Sequence, residues 1–332
     1  MYGRTCQNNS HLLLIIPLPN LIELIHIEQE AVLICPKCHN GELMRRGTEL
    51  QKVGVRERYQ CKSCGKYSQK QTFIQNTAKI LLLDIETSLM EFYGFSPYQG
   101  YIPSKNVIKD WSILCWNAKW LFSTETMGDK VTPKEATDRN DRRILEKLWK
   151  LMDEAQIIVH QNGKKFDIPR INFRFLLAGY PEPSFYQQVD TKEVLAKKFG
   201  ASYNNQDYIT KLLGLQQKDD MRFEDWVNCL EGKLSERKSA IQKMFDYNKK
   251  DVMGLEEMYL YLRPWIPSHA NLGIYADTDK DCCPNCQSTE LKWNGQYATP
   301  LGLYEGFRCG SCGAIGRSTK KKYKIKSVDV RN

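Results

Sequence analysis

The chain has 332 residues, 42% hydrophobic and 26% charged, which suits one packed medium-sized domain with appendages. Its apolar run Leu12–Leu18 is broken by Pro17, Pro19 and Asn20, too short to span a bilayer and without a cleavage site after it, which argues against a membrane anchor or a signal peptide. The net charge of +9 is uneven: residues 31–79 carry ten Lys/Arg against three Asp/Glu, residues 282–332 carry nine against three, and the stretch between is close to neutral. Basic ends on a neutral core suit a polyanionic partner, because Lys and Arg displace counterions from phosphates.

In chain order, residues 1–30 read either as a short strand or helix packed on the core or as an N-terminal extension of the kind a misplaced start codon adds; the second is favoured because a compact module begins directly after it. Residues 31–78 read as that module. Lys79–Leu83 is a buried strand that runs into Asp84-Ile-Glu-Thr87, and Trp111–Leu121 supplies one or two further strands. Met127–Asn140 is polar with Gly and Pro and reads as a loop. Asp141–Ala155 is a helix with Asp141 as its cap, and Gln156–His160 is a short strand. Ile168–Ala178 is a helix stopped at Gly179, and a strand ends at Asp190. Helices follow over Thr191–Phe199, Asn205–Leu213 and Leu234–Leu262, the last ending before Pro264. This order predicts an α/β sheet with flanking helices. The expected layout is a zinc ribbon at 31–78, a core at 79–265, a linker at 266–281, a second ribbon at 282–316 and a basic tail at 317–332.

Eight of the 12 cysteines fall in Cys-x-x-Cys pairs: Cys35/Cys38, Cys61/Cys64, Cys283/Cys286 and Cys309/Cys312. In each half 22 residues separate the two pairs, Pro follows the first Cys and Gly follows the last, so one module is used twice. Four thiolates from two knuckles make a closed tetrahedral site, and two structural Zn²⁺ are expected. Such sites suit a reducing compartment, the cytoplasm, or a host's cytoplasm for a phage-encoded chain. Cys282 beside Cys283 leaves the ligand to be decided by spacing alone.

Asp84 and Glu86 are two apart and share one face of a strand. Tyr247 and Asp251 are four apart and share one face of a helix. Asp167 follows a strand and a Gly-containing turn at a helix start. Each also fits a plain role: acids at a strand end, a surface Asp beside a core-edge Tyr, a helix cap.

Together and in order, three segments resemble the motifs of the DEDD (DnaQ-like) exonuclease superfamily, which has a ribonuclease H-like fold. LLLDIETS is similar to the first motif, with Asp84 and Glu86; VHQNGKKFDIPRI to the second, with Asp167 and Asn162; and YNKKDV to the third in its Tyr-x-x-x-Asp form, with Tyr247 and Asp251. The third is similar to that of proofreading domains of family B polymerases and their stand-alone relatives. The likeness covers about residues 79–263, and its second motif departs from a His-Asn-x-x-Phe-Asp lead. It implies an α/β ribonuclease H-like mixed sheet and a 3′→5′ exonuclease with two Mg²⁺ or Mn²⁺, DNA being favoured over RNA. It further implies that Asp84 bridges the ions, Glu86 and Asp251 hold the nucleophile side, Asp167 serves the other ion and Tyr247 orients water. Asn162 is expected at the nucleic acid, and Asp190 as a helix cap.

The first module, with RYQCKSCGK, resembles the N-terminal zinc ribbons of certain insertion-sequence transposases, which implies DNA contact through Arg45, Arg46, Arg56 and Arg58 beside Tyr59. The tail offers Lys320, Lys321 and Lys322 to phosphate. Two alternatives remain open at this point: a zinc-ribbon DNA-binding protein with an inactive core, and a structure-specific endonuclease of the same fold.

Overall fold

The computed structural model describes residues 43–50, 55–63, 67–72, 78–96, 98, 100–215, 221–266, 269–276 and 278–322. Residues 1–30, Cys35, Cys38 and Cys64 lie outside them, as do the side chains of Cys61, Arg45, Arg46, Arg56 and Arg58. The chain divides into two compact units, Met1–Gln75 and Asn76–Asn332.

In the first unit, β1 (Leu43–Leu50), β2 (Val55–Cys61) and β3 (Tyr67–Thr72) form an antiparallel sheet in that order. Leu43 pairs with Cys61, Gln60 with Tyr67, and a bulge lies between Arg45 and Gly47.

The second unit is built on a five-stranded mixed sheet. Its strands are β4 (Ile80–Thr87), β7 (Ile113–Trp120), β8 (Met127–Lys130), β9 (Ile157–His160) and β10 (Gln187–Asp190), in the order β10-β9-β4-β7-β8. The short hairpin β5 (Glu91–Phe92) and β6 (Val107–Lys109) rises from the loop after β4. β10, β9 and β4 run parallel, β7 runs antiparallel to β4, and β8 runs antiparallel to β7. β4 is central, and its first four residues, Ile-Leu-Leu-Leu, are buried. A strand covered on both faces has to be apolar throughout until it reaches the sheet's edge, where Asp84 and Glu86 begin.

The helices are α1 (Pro133–Asp138), α2 (Arg142–Glu154), α3 (Asp167–Ala178), α4 (Thr191–Lys198), α5 (Gln206–Leu212), α6 (Phe223–Leu230) and α7 (Leu234–Leu262). α2 buries Ile144, Leu145, Leu148 and Met152, a stripe at helical spacing, against Leu81, Leu83 and Ile85. α7 packs Val252, Leu255, Met258 and Tyr259 with Ile80 and Leu82. Among the described residues no helix is long and apolar enough to cross a membrane.

Three local expectations change. Met127–Asn140 is not a loop: it holds β8 and α1. The Thr132 hydroxyl accepts from the Glu135 N–H, the Glu135 carboxylate accepts from the Thr132 N–H, and Pro133 opens the helix, a capping box that was legible as Thr-Pro-Lys-Glu. Asp141 precedes α2 but caps nothing with its side chain. Its carboxylate accepts instead from the Ile113 N–H at 2.8 Å and from Arg174 at 2.7 Å, so it ties β7 to α3. Arg317–Lys321, expected in a tail, belong to a strand.

That strand is β13 (Ile315–Lys321), which with β11 (Leu291–Thr299) and β12 (Gly302–Cys309) makes the C-terminal three-stranded sheet. Leu291 pairs with Cys309, Arg308 with Ile315, and a bulge lies between Trp293 and Gly295. Each of these positions is the N-terminal sheet's counterpart displaced by 248 residues. The repeat seen in the cysteines therefore extends to backbone register and to the bulge. Between α7 and this sheet, Ile266, Ala270 and Leu272 join the apolar cluster under α7. The Leu272 N–H donates to the Pro284 carbonyl, Gln287 donates to that of Leu272 and Asn285 to that of Arg263, which seats the cysteine knuckle on the end of the long helix.

Candidate metal and active site

β4 brings Asp84 and Glu86 to the end of the central strand, and α7 crosses above them. One carboxylate oxygen each of Asp84, Glu86 and Asp251 lie within 4.8 Å of one another. The two strand acids are half-buried and Asp251 is buried. Three hard oxygen donors at this spacing could hold a divalent cation such as Mg²⁺ or Mn²⁺. The expected pairing of Asp84, Glu86 and Asp251 is thus present in the fold.

Tyr247 stands beside them, half-buried and hydrogen-bonded to Asp251. Burial, with the charges of Asp251, Glu86 and Asp84, pushes its hydroxyl well above the usual tyrosine range. In the metal-free site the hydroxyl therefore keeps its proton and serves as a hydrogen-bonding group.

Asn248 is a site residue that the motifs did not single out. It is fully buried; its Nδ2 donates to the Asp84 carboxylate, and its Oδ1 accepts from Asn117 Nδ2 at 2.9 Å. Asn117 lies directly opposite Asp84 in the β4–β7 ladder. This relay from β7 through α7 fixes one Asp84 oxygen. Its signal was available, because Asn248 precedes Asp251 by three and so shares its helical face. The Asp251 backbone is fixed too: its carbonyl accepts from the buried Gln206 Nε2 at 2.8 Å.

Asp167 stands apart from the triad. It opens α3 and is buried, with Oδ1 accepting from the Ile85 N–H at 3.2 Å. Burial pushes its carboxyl up to about 7, against the donation from Ile85 that favours the charged form. It therefore reaches β4 at the residue between Asp84 and Glu86 without joining their oxygen cluster.

The turn that delivers Asp167 is rigid. β9 ends at His160, Asn162 takes a left-handed φ of 65°, and a Cβ on Gly163 would lie 2.4 Å from the His160 ring. The Gly163 N–H donates to His160 Nδ1, and the Asp190 carboxylate accepts from Asn162, Lys164, Lys192 and Glu193 backbone N–H groups. Asp190 is the cap of α4, as expected. Asn162 commits its backbone to this turn, and Lys164 pairs with Glu193 at 2.9 Å.

The second site is sulfur. Sγ of Cys283 lies 3.7 Å from that of Cys312, and Cys286 3.6 Å from Cys309, all four within 4.8 Å of one another. A tetrahedron with Zn–S bonds of about 2.3 Å has edges of about 3.8 Å, so the cluster fits Zn²⁺. Donation from Cys283 and Cys312 holds the Cys286 thiol well below its usual range. Gly313 takes a φ of 78° directly after Cys312, which closes the knuckle. Cys283 is in the cluster and Cys282 is not. This is the one four-cysteine cluster among the described residues. Lys320 and Lys321 lie on β13 and Lys322 just beyond it, exposed, with Lys322 3.9 Å from Glu305.

An open cleft of about 390 Å³ is lined by Thr87, Ser88 and Leu89, which follow Glu86 in the chain, and by Phe223 and Trp226.

Residues 117–263 match the family model RNase_H_2, described as the RNase_H superfamily. No curated protein matches the chain. The match starts at Asn117 on β7 and runs through α7, so it takes in Asp167, Tyr247 and Asp251, while Asp84 and Glu86 stand on the sheet's central strand ahead of it. The five-stranded mixed sheet with its helices is an α/β RNase H-like fold, and the chain also carries a small antiparallel sheet with a four-cysteine cluster.

Proposed function

We propose that the protein is a metal-dependent nuclease that hydrolyses phosphodiester bonds, working as a 3′→5′ exonuclease with DNA favoured over RNA. The observation that carries this is the convergence of Asp84, Glu86 and Asp251 at the end of the central strand of an RNase H-like sheet. That superfamily is one of nucleases, so nucleic acid is the substrate class to test first. Fold alone does not fix a reaction, and the acid set at the site is what favours catalysis over an inactive binding core.

Bound between these carboxylates, divalent ions would supply Lewis-acid stabilisation of the attacking and leaving oxygens. Asp84, Glu86 and Asp251 would hold them. Asn248 keeps Asp84 in one orientation through its donated hydrogen bond. The neutral Tyr247 hydroxyl, anchored at Asp251, suits it to positioning the attacking water. Asp167, buried behind β4 by the Ile85 N–H, would act on the site by way of water or after a small rearrangement of α3. Tyr247 beside Asp251 on one helical face is what favours the exonuclease branch over an internal cutter. The four-cysteine cluster would hold one structural Zn²⁺, and the repeated register supports a second at Cys35, Cys38, Cys61 and Cys64. Their basic surfaces, Arg45, Arg46, Arg56 and Arg58 in one module and Lys320–Lys322 in the other, would hold the phosphate backbone.

Purified protein with Mg²⁺ or Mn²⁺ should shorten a 5′-labelled strand stepwise from its 3′ end. Internal fragments without a ladder would favour the endonuclease alternative. An undigested strand in both metals, for DNA and RNA alike, would reject the nuclease.

A further inference from the structure

Between the strand that carries Asp84 and Glu86 and the next strand of the sheet, the chain makes a long excursion. Its two ends are closed by the Ser88 N–H donating to the Ser112 carbonyl at 2.8 Å and the Ser112 N–H donating to Ser88 Oγ at 3.0 Å. Above them β5 pairs with β6, Glu91 opposite Lys109. The Glu91 carboxylate is held by Arg139 at 2.8 Å and Lys109 at 3.4 Å, and the Arg139 side chain is itself buried against the Ala136 carbonyl. The Tyr93 N–H donates to Asn106 O, and Asn106 Nδ2 donates to Tyr93 O. The base is thus fixed to the core by backbone bonds and an ion pair.

The tip differs in kind. Residues 92–101 read FYGFSPYQGY, five aromatics in ten residues and not one charge. Phe95 is 100% exposed, Tyr98 94%, Tyr93 and Tyr101 75% each, and Phe92 47%. Large rings held in water on a braced arm mark a surface that something covers. In the sequence, small or polar residues separate most of these rings.

We infer that residues 92–101 are a stacking platform for the unpaired bases of a nucleic acid strand whose end enters the acidic centre. Three observations select this occupant. The tip begins six residues after Glu86, within roughly 20 Å of it along an extended chain. The Phe223–Trp226 cleft is lined by Thr87, Ser88 and Leu89, the three residues that follow Glu86 on the segment leading to the arm. The absence of charge leaves phosphates unopposed while every base presents a π-face to a ring, and stacking of this type is indifferent to sequence. The platform therefore selects single-stranded or frayed ends over paired duplex, and it deepens the nuclease reading on which it rests.

The test is binding of 5′-fluorescein oligonucleotides to the full chain in Ca²⁺, read by anisotropy. The probes are a single strand, the same length of abasic strand, and a blunt duplex. Wild type should bind the single strand at least tenfold tighter than the abasic strand. The double variant Phe95→Ala/Tyr98→Ala, at two almost fully exposed positions, should lose roughly five- to a hundredfold per ring on the single strand and nothing on the abasic one. Tyr98→Trp should retain binding. Equal affinity for abasic and normal strands, or an unchanged double variant, overturns the platform and leaves the arm to a protein partner. Cleavage by wild type alongside an unchanged double variant refutes the platform only. Base-dependent binding that the double variant loses, in a protein that cleaves nothing, supports the platform and refutes the nuclease.

Discussion

Glu86→Gln should stabilise the metal-free protein and destabilise the metal-loaded one relative to wild type. Three carboxylate oxygens within 4.8 Å repel one another when nothing sits between them. At that distance a pair costs about 0.9 kcal/mol in water and about 3.5 kcal/mol at an effective dielectric constant of about 20. Glu86 and Asp84 are half-buried, so solvent screening places the cost towards the lower figure. Neutralising Glu86 removes two such pairs and keeps the side chain's shape, a gain of about 2 kcal/mol. For a unit of this size that is a rise of about 4–8 °C in the thermal midpoint. The gain should shrink in high salt, because these charges are partly solvated. Mn²⁺ reverses the order: at about a hundredfold its Kd it stabilises wild type by about 2.7 kcal/mol, and the variant by much less. The assay is thermal unfolding of both proteins in chelator and in Mn²⁺. A variant that is less stable than wild type in chelator, or that gains as much from Mn²⁺, refutes the carboxylate cluster as a cation site.

Other outcomes follow from the same geometry. Asn248→Ala removes a hydrogen bond to a carboxylate and leaves buried Asn117 Nδ2 with the Phe245 carbonyl alone; it should cost about 2–3 kcal/mol of stability and lower kcat more than it raises KM, in steady-state cleavage. Gly163→Ala places a methyl on the His160 ring and should displace the turn before Asp167, seen as a thermal midpoint lowered by several degrees and reduced cleavage. Zinc analysis of the full chain should return at least one ion per chain, falling by one in Cys283→Ser. That variant should also loosen the last turns of α7, which Asn285 ties to the knuckle through the Arg263 carbonyl, read as faster amide exchange over Tyr259–Arg263.

Periodicity and punctuation made most of the fold legible. The apolar run before Asp84, the stripe in α2, Gly179 after α3 and Pro264 after α7 each encode a boundary by local physics. Met127–Asn140 misled because its polar composition outweighed a capping box that spans only four residues. Asp141 misled for another reason: a helix-start Asp is a cap by default, and only the tertiary approach of Ile113 and Arg174 gives it a different partner. At the site, spacing put Asp84 with Glu86 and Tyr247 with Asp251 on shared faces, and the resemblance to three motifs in order joined them into one set. The helical face that Asn248 shares with Asp251 is legible in the sequence, but its hydrogen bond to Asn117, 131 residues away, is not. Asp167's separation from the triad is likewise a matter of how α3 meets β4, which spacing does not carry.

The most direct test of the metal-dependent nuclease is a comparison of strand cleavage by wild type, Asp84→Asn and Asp251→Asn in Mn²⁺, each first shown folded by circular dichroism. The carboxylate centre predicts a ladder shortening from the 3′ end for wild type, its disappearance in chelator, and rates reduced by at least a hundredfold in both variants. Cleavage that persists in either variant, or that survives the chelator, would contradict it.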